Sequence, residues 1–361
     1  MPSSRYDRVA DLIPQRRILS RDNWQSAFAK TLMPTLSSTI LTDFHREFGP
    51  AWEADVAELA AEHGDAYLVS GLANLARAEL ANSQIRSALP RLVVHVVVIP
   101  KAESRMFTYW RKSSPCEYVL GIHLGTFPNV RDTLNVQDLV KEVPRPWVVL
   151  NRLRDADVLR LATYVITRAI LFHEIAHIVR GHFPYLDRIK TEARTDSNAQ
   201  RALCEVDADK WSSYVLAGDL WTHAKNLALQ ASIPLEIAVQ ELLAFTASCL
   251  YRWYAHFNTS VFTAPTCYPH PLLRALRIAI GAADNIDRGE TPPELALARA
   301  SAALGGLSAG EIVVGRLTWP PQRDFDLGAE VIAFDVKYSS ALTKLSRDLV
   351  TAAKLCGLNA P

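Results

Sequence analysis

The sequence predicts an α+β fold that is predominantly helical, with one small β-sheet set directly ahead of a long helix. Three observations predict it. Apolar residues recur at three- and four-residue spacing over most of the first ninety positions and again from Asp157 onward, the repeat of a helix with one buried face. Between those regions stands LVVHVVVI, residues 92–99, a β-branched run closed by Pro100 that has the composition of a buried strand. Hydrophobic residues make up 49 % of the 361 and charged residues 21 %, the balance of a chain that buries a large core rather than of a disordered one.

Taken in order, the first ninety residues read as helices at 23–33, 51–62 and 66–87, separated by turn signals such as Gly49-Pro50. Residues 106–111 and 118–127 are expected to pair with 92–99, and 147–150 to add another short strand. From Asp157 to Arg180 the helical period runs without a proline. Asp155 or Asp157 suits the N-cap, Gly181 suits the left-handed position past the end, and Pro184 prevents continuation. Residues 183–194 read as a connecting loop, and a second helix is expected to start near Thr195 to Ser197 and to stop at Gly218. Helices are expected at 221–230, 235–257, 272–287 and 293–304, a loop at Gly305-Gly306, strands at 311–318 and 329–337, and a closing helix at 339–356. The chain divides into an N-terminal helical region (1–90), a core (91–290) and a C-terminal α/β extension packed on that core (291–361).

A net charge of +1, with no basic stripe and no aromatic–basic interleaving, argues against a nucleic-acid partner. The five cysteines are scattered, odd in number and free of any CxxC, so neither a disulfide framework nor a cysteine metal site is indicated. The segment MPSSRYDRVADLIPQRR lacks the apolar core of a signal peptide, and a cytoplasmic location is expected. Residues 161–179 and 237–257 are apolar but carry Arg168, His173, Glu174 and His177, and Glu241 and Arg252. Buried core helices are the expected reading, not membrane spans.

The chemistry concentrates in HEIAH, residues 173–177. Two histidines four apart lie one turn above each other on a helix and can take adjacent corners of a zinc tetrahedron. Glu174 projects at a neighbouring angle, where it can reach a metal-bound water without binding the metal. His182 falls about 500° around the helix from His177, off the ligand face, and reads as a residue meeting the helix dipole. The metzincin solution is excluded, because Arg180 and Phe183 stand where it needs glycine and histidine. The third ligand is sought on the next helix, where CEVDADK places Glu205 and Asp209 four apart on one face. Glu205 would complete the site and Asp209 would accept the outer N–H of a liganding histidine.

HEIAHIVRGH followed by EVDAD resembles the gluzincin metallopeptidases, particularly the HtpX and CAAX-prenyl-protease branch, whose pattern is HExxH followed by a helix carrying ExxAD. The resemblance implies a zincin-like active-site helix, Zn2+ held by His173, His177 and Glu205, Glu174 as general base, and Asp209 behind the ligands. It also implies an oxyanion-stabilising role for His270 in YPHPLLRALRI, and it leaves open which of Arg274 and Arg277 faces the site. The family's transmembrane helices are not evident, which points to a soluble relative in the manner of the phage-exclusion protein Lit. A zinc metallopeptidase acting on a protein or peptide substrate is the expectation. A zinc-binding regulator or effector acting through partner binding is the alternative. Residues 118–127 are a candidate rail for an extended substrate, with His123 as a structural residue.

Overall fold

The computed structural model describes residues 38–49, 51, 66–134, 148–192, 197–257, 271–286, 291–317, 341–345 and 347–349. Three helices, α1 (Thr39–Phe48), α2 (Ala66–Leu80) and α3 (Ser83–Ala88), precede strands β1 (Val93–Ile99), β2 (Met106–Trp110) and β3 (Glu117–His123). Then follow α4 (Thr126–Thr133), a 3-10 turn at Leu150–Arg152, α5 (Asp155–Val179), α6 (His182–Glu192), α7 (Ser197–Ala231), α8 (Leu235–Phe257), α9 (Pro271–Asn285) and α10 (Pro293–Leu317). The described chain is thus predominantly helical with one three-stranded sheet.

The strand order is β1-β3-β2, with β1 parallel and β2 antiparallel to the central β3. Side-chain alternation splits the strands between two cores. Val96, Val98, Tyr118, Leu120 and Ile122 pack on Phe172 and Ile175 of α5. Val97, Ile99, Phe107, Tyr109 and Val119 pack on Ile40, Leu41 and Phe44 of α1. Burial on both faces explains why the run at 92–99 is continuously apolar rather than alternating. The expected rail, β3, is paired on both sides, so its backbone has no edge left for another strand.

On its other side α5 enters a helical bundle. Val165, Ile166 and Ala169 meet Leu216 and Leu220 of α7, Leu242 and Phe245 of α8, Ile278 and Ala282 of α9 and Leu307 of α10 in one buried cluster. Two glycines set the tightest crossings. A Cβ on Gly281 would lie 2.3 Å from Ser213 Oγ, and one on Gly306 would lie 1.9 Å from the Ala244 carbonyl oxygen.

Several boundaries differ from expectation, each for a tertiary reason. Residues 182–192 form α6, not a loop. Pro184 sits in its first turn, where the missing N–H has no intrahelical partner to lose. Helix α7 passes Gly218 and absorbs the helix expected at 221–230, since burying Leu220 and Ala224 outweighs one glycine's cost of about 1 kcal/mol. Helix α10 likewise runs through Gly305-Gly306 and replaces the strand expected at 311–318. Of the strand expected at 147–150, residues 148 and 149 form a bend and Leu150 opens a 3-10 turn, while residue 147 lies outside the described residues. Glu241 of α8 accepts the N–H groups of Val148, Val149 (2.9 Å) and Leu150 (3.2 Å), so no partner strand is needed. Helix α1 was not anticipated. The helix expected at 23–33, all of the helix expected at 51–62 except Ala51, and the strand expected at 329–337 lie outside the described residues. Within the closing helix expected at 339–356, residues 341–345 and 347–349 are helical, and Leu345 and Leu349 pack on Tyr185, Ile189 and Leu203. No helix among the described residues is long and apolar enough to cross a membrane.

The two neighbouring glycines of α10 make a stability test. Gly306→Ala is expected to destabilise the protein by about 1–3 kcal/mol, because the methyl must displace α8 backbone. A Cβ on exposed Gly305 meets nothing within 4 Å, so Gly305→Ala should be neutral or stabilising by up to about 1 kcal/mol. Urea unfolding of the two variants checks the contrast.

Candidate metal centre

The C-terminal part of α5 carries His173 and His177 between the sheet and the bundle, so both rings are buried. Helix α7 crosses it closely. Buried Ala202 and Ala208 present only methyl groups, and Ser212 Oγ donates to the Ala169 carbonyl of α5 at 2.8 Å. That approach delivers Glu205 to the histidines. His173 Nε2 lies 3.1 Å from Glu205 Oε2 and 3.1 Å from His177 Nε2, and His177 Nε2 lies 3.6 Å from Glu205 Oε1.

These separations provide a fit test. Tetrahedral zinc with ligand bonds of about 2.0–2.1 Å needs donor atoms about 3.3–3.4 Å apart. The separation of the two histidine nitrogens is close to that, and so is the approach of each to a carboxylate oxygen of Glu205, Oε2 for His173 and Oε1 for His177. Two imidazole nitrogens and one carboxylate oxygen are also a donor set that zinc takes in catalytic sites. Glu174, Glu205, Asp207 and Asp209 set four carboxylates against the two guanidiniums of Arg180 and Arg274. In the protein alone a proton on His173 and the partial protonation of Glu174 offset much of that imbalance, and a bound cation would take the place of the His173 proton. His173, His177 and Glu205 could therefore hold a metal ion.

The surrounding groups orient this triad. His173 Nδ1 donates to Asp209 Oδ1 at 2.8 Å. The fully buried Asp209 is clamped by Arg274, whose Nε and Nη2 donate at 2.9 and 2.8 Å. Arg274 comes from α9 and lies over the Tyr254 ring of α8, 4.4 Å from its centroid. Of the two arginines left open by sequence, Arg274 is the one that reaches the site. Burial alone would raise the Asp209 carboxyl, yet Arg274 and His173 hold it well below the usual range. Burial likewise opposes the Glu205 carboxylate, but His177, His173 and Arg274 bring it down to about 2.

Glu174 stands apart from the ligand triad. It accepts a hydrogen bond from Thr108 Oγ1 of β2 at 3.0 Å. Burial, reinforced by Glu205, raises its carboxyl to about 7, against the lowering effects of His173, Thr108 and Arg274. A carboxyl near neutrality is suited to exchange a proton with a reacting group.

Sequence reasoning placed His173, Glu174, His177, Glu205 and Asp209, and the structure brings all five together. His182 needs correction. It is fully buried at the start of α6, 2.8 Å from His177 through Nδ1 and 3.0 Å from Asp207 through Nε2, and it is engaged in that contact rather than with the helix dipole. Helical phase failed there because Gly181, at φ +70°, breaks the helix between the two histidines. Thr108 and Asp207 were missed. Asp207 had one visible signal, a third acid inside CEVDAD on a helix turn otherwise made of apolar and small residues. His123 is buried at the end of β3 against Phe107, consistent with a structural part. His270 lies outside the described residues.

No protein-family model, curated protein or solved structure matches the chain. The chemistry of the site has to be read from its own residues.

Burial lowers His173, but Asp209 and Glu205 outweigh it and raise the ring to about 9 in the protein alone. A cation must displace a proton from that ring. Zinc affinity is therefore expected to rise with pH, by about tenfold per unit between roughly pH 6 and 8. Chelator competition at several pH values checks this, and a flat profile would contradict it. Asp209→Asn removes the charge that orients His173 and should weaken zinc binding about 10- to 100-fold in the same assay.

Proposed function

We propose that the chain is a zinc-dependent peptidase of the gluzincin type, cutting a protein or peptide substrate. The observation that carries the reading is the triad of buried His173 and His177 with partly buried Glu205, and one further carboxylate, Glu174, next to the triad but outside it. A zinc ion held by the triad would act as a Lewis acid, acidifying a water and polarising the scissile carbonyl.

The chain's own groups divide the remaining work. Glu174 accepts the proton of the attacking water on a carboxylate oxygen and returns it to the leaving amine, while the Thr108 hydroxyl fixes the direction of that carboxylate. Asp209 holds His173 with its lone pair on Nε2, and the Arg274 clamp keeps Asp209 from turning. The family resemblance adds His270 as a stabiliser of the oxyanion.

The substrate rail moves to β2. This strand pairs with β3 on one side, and its middle residue Thr108 touches Glu174. A peptide added along its outer edge would run beside the proton-transfer group. A regulator or effector working by recognition alone would need the triad but not Glu174.

The test separates the two. Glu174→Gln is expected to bind zinc as the wild type does while losing at least about 100-fold in cleavage rate. Metal content and peptide hydrolysis measured on proteome-derived substrates report both. Undiminished cleavage by Glu174→Gln overturns the peptidase assignment.

A further inference from the structure

Behind His177 runs a chain of side chains with one self-consistent set of proton positions. His177 Nδ1 lies 2.8 Å from His182 Nδ1, and His182 Nε2 lies 3.0 Å from Asp207 Oδ2. Arg180 donates to the same carboxylate through Nε at 2.8 Å and Nη2 at 3.3 Å. His182 is fully buried and Asp207 is buried. Asp207 follows Glu205 by two residues, which turns it about 200° around α7 and away from the ligand face. The imidazole of His182 spans the gap that this rotation leaves. Gly181 makes the span possible, since its φ of +70° ends α5 and restarts the chain as α6 with His182 against His177.

An Nδ1-to-Nδ1 contact of 2.8 Å holds one proton, because two N–H groups would collide and two bare lone pairs would repel. Were that proton on His182, two arrangements would remain. A neutral His182 would set a bare Nε2 against a carboxylate oxygen at 3.0 Å, acceptor facing acceptor. A cationic His182 would bury an extra charge beside an Arg180–Asp207 pair that is already neutral. With the proton on His177 every donor meets an acceptor: His177 Nδ1–H to His182 Nδ1, His182 Nε2–H to Asp207, and Arg180 to Asp207. A neutral His177 protonated on Nδ1 carries its lone pair on Nε2, the atom that faces His173 and Glu205.

We propose that His182 and Asp207 are positioning residues that set the tautomer of His177, so that its Nε2 is bare before a cation arrives. The role in metal binding rests on the reading of His173, His177 and Glu205 as zinc ligands. Helix α7 thereby serves both histidines, His173 directly through Asp209 and His177 through His182 and Asp207.

Two measurements test the relay, and one needs no metal. In isotope-labelled, metal-free wild-type protein, long-range proton–nitrogen correlation spectra should place the His177 proton on Nδ1 and the His182 proton on Nε2. A proton on His177 Nε2 overturns the proposal whether or not the chain binds zinc. Zinc affinity, read by chelator competition, should fall about 10- to 100-fold in His182→Phe. It should recover in His182→Asn, whose carboxamide oxygen lies where Nδ1 stood and accepts the same proton. A packing role alone predicts the opposite order, because phenylalanine fills the buried space and asparagine does not. Zinc held by His182→Phe as tightly as by the wild type, or more tightly than by His182→Asn, overturns the relay and leaves the zinc reading standing. Failure of the wild type to take up zinc overturns the zinc reading instead, and the spectra then decide the relay.

Discussion

Three carboxylates at alternate positions of one interior helix segment, Glu205, Asp207 and Asp209 of α7, govern how its neighbours are arranged. An unpaired buried carboxylate costs several kcal/mol, so each must meet positive charge or strong donors. They project in different directions and draw partners from different elements. Arg274 arrives from α9, Arg180 and His182 from the junction of α5 and α6, and the two histidines of α5 turn toward Glu205. Glu174 adds a fourth carboxylate, held by the Thr108 hydroxyl.

The helices reach these positions because apolar packing forces them there. Helix α5 is the wall between two cores, with Phe172 and Ile175 facing the sheet and Ile166 and Ala169 facing the bundle. A wall of this kind cannot tilt without opening both sides, so the direction of its histidines is fixed by burial far larger than any single hydrogen bond. Small residues set the spacing. Ser212 on α7 reaches the Ala169 carbonyl of α5, and Gly281, against Ser213 of α7, lets α9 lie close enough to insert Arg274. The sheet contributes one polar group, Thr108, which points from β2 at the helix face and holds Glu174.

Local signals served well where one element explained itself. The strand at 92–99, the helix of the HEIAH motif and the helix at 235–257 follow from periodicity and β-branching, because their own residues bury them. Local signals failed at glycines and prolines whose surroundings override them. Gly218 and Gly305-Gly306 lie inside helices since packing on neighbouring helices outweighs their poor propensity. Pro184 opens a helix because the first turn does not need its N–H.

At the site the division is sharper. Sequence by itself determined the residues that a single helix brings together: His173 and His177 by their four-residue spacing, Glu174 by its offset, and Glu205 with Asp209 by the same spacing on the next helix. Helical period is a local rule, and it carries no information past a chain reversal. Only the tertiary structure decided that His182 lies against His177 across Gly181, that Asp207 anchors it, that Arg274 rather than Arg277 clamps Asp209, and that β2 rather than β3 borders Glu174. Those contacts join residues up to 66 positions apart, and they exist because burial of apolar faces brought five elements to one point.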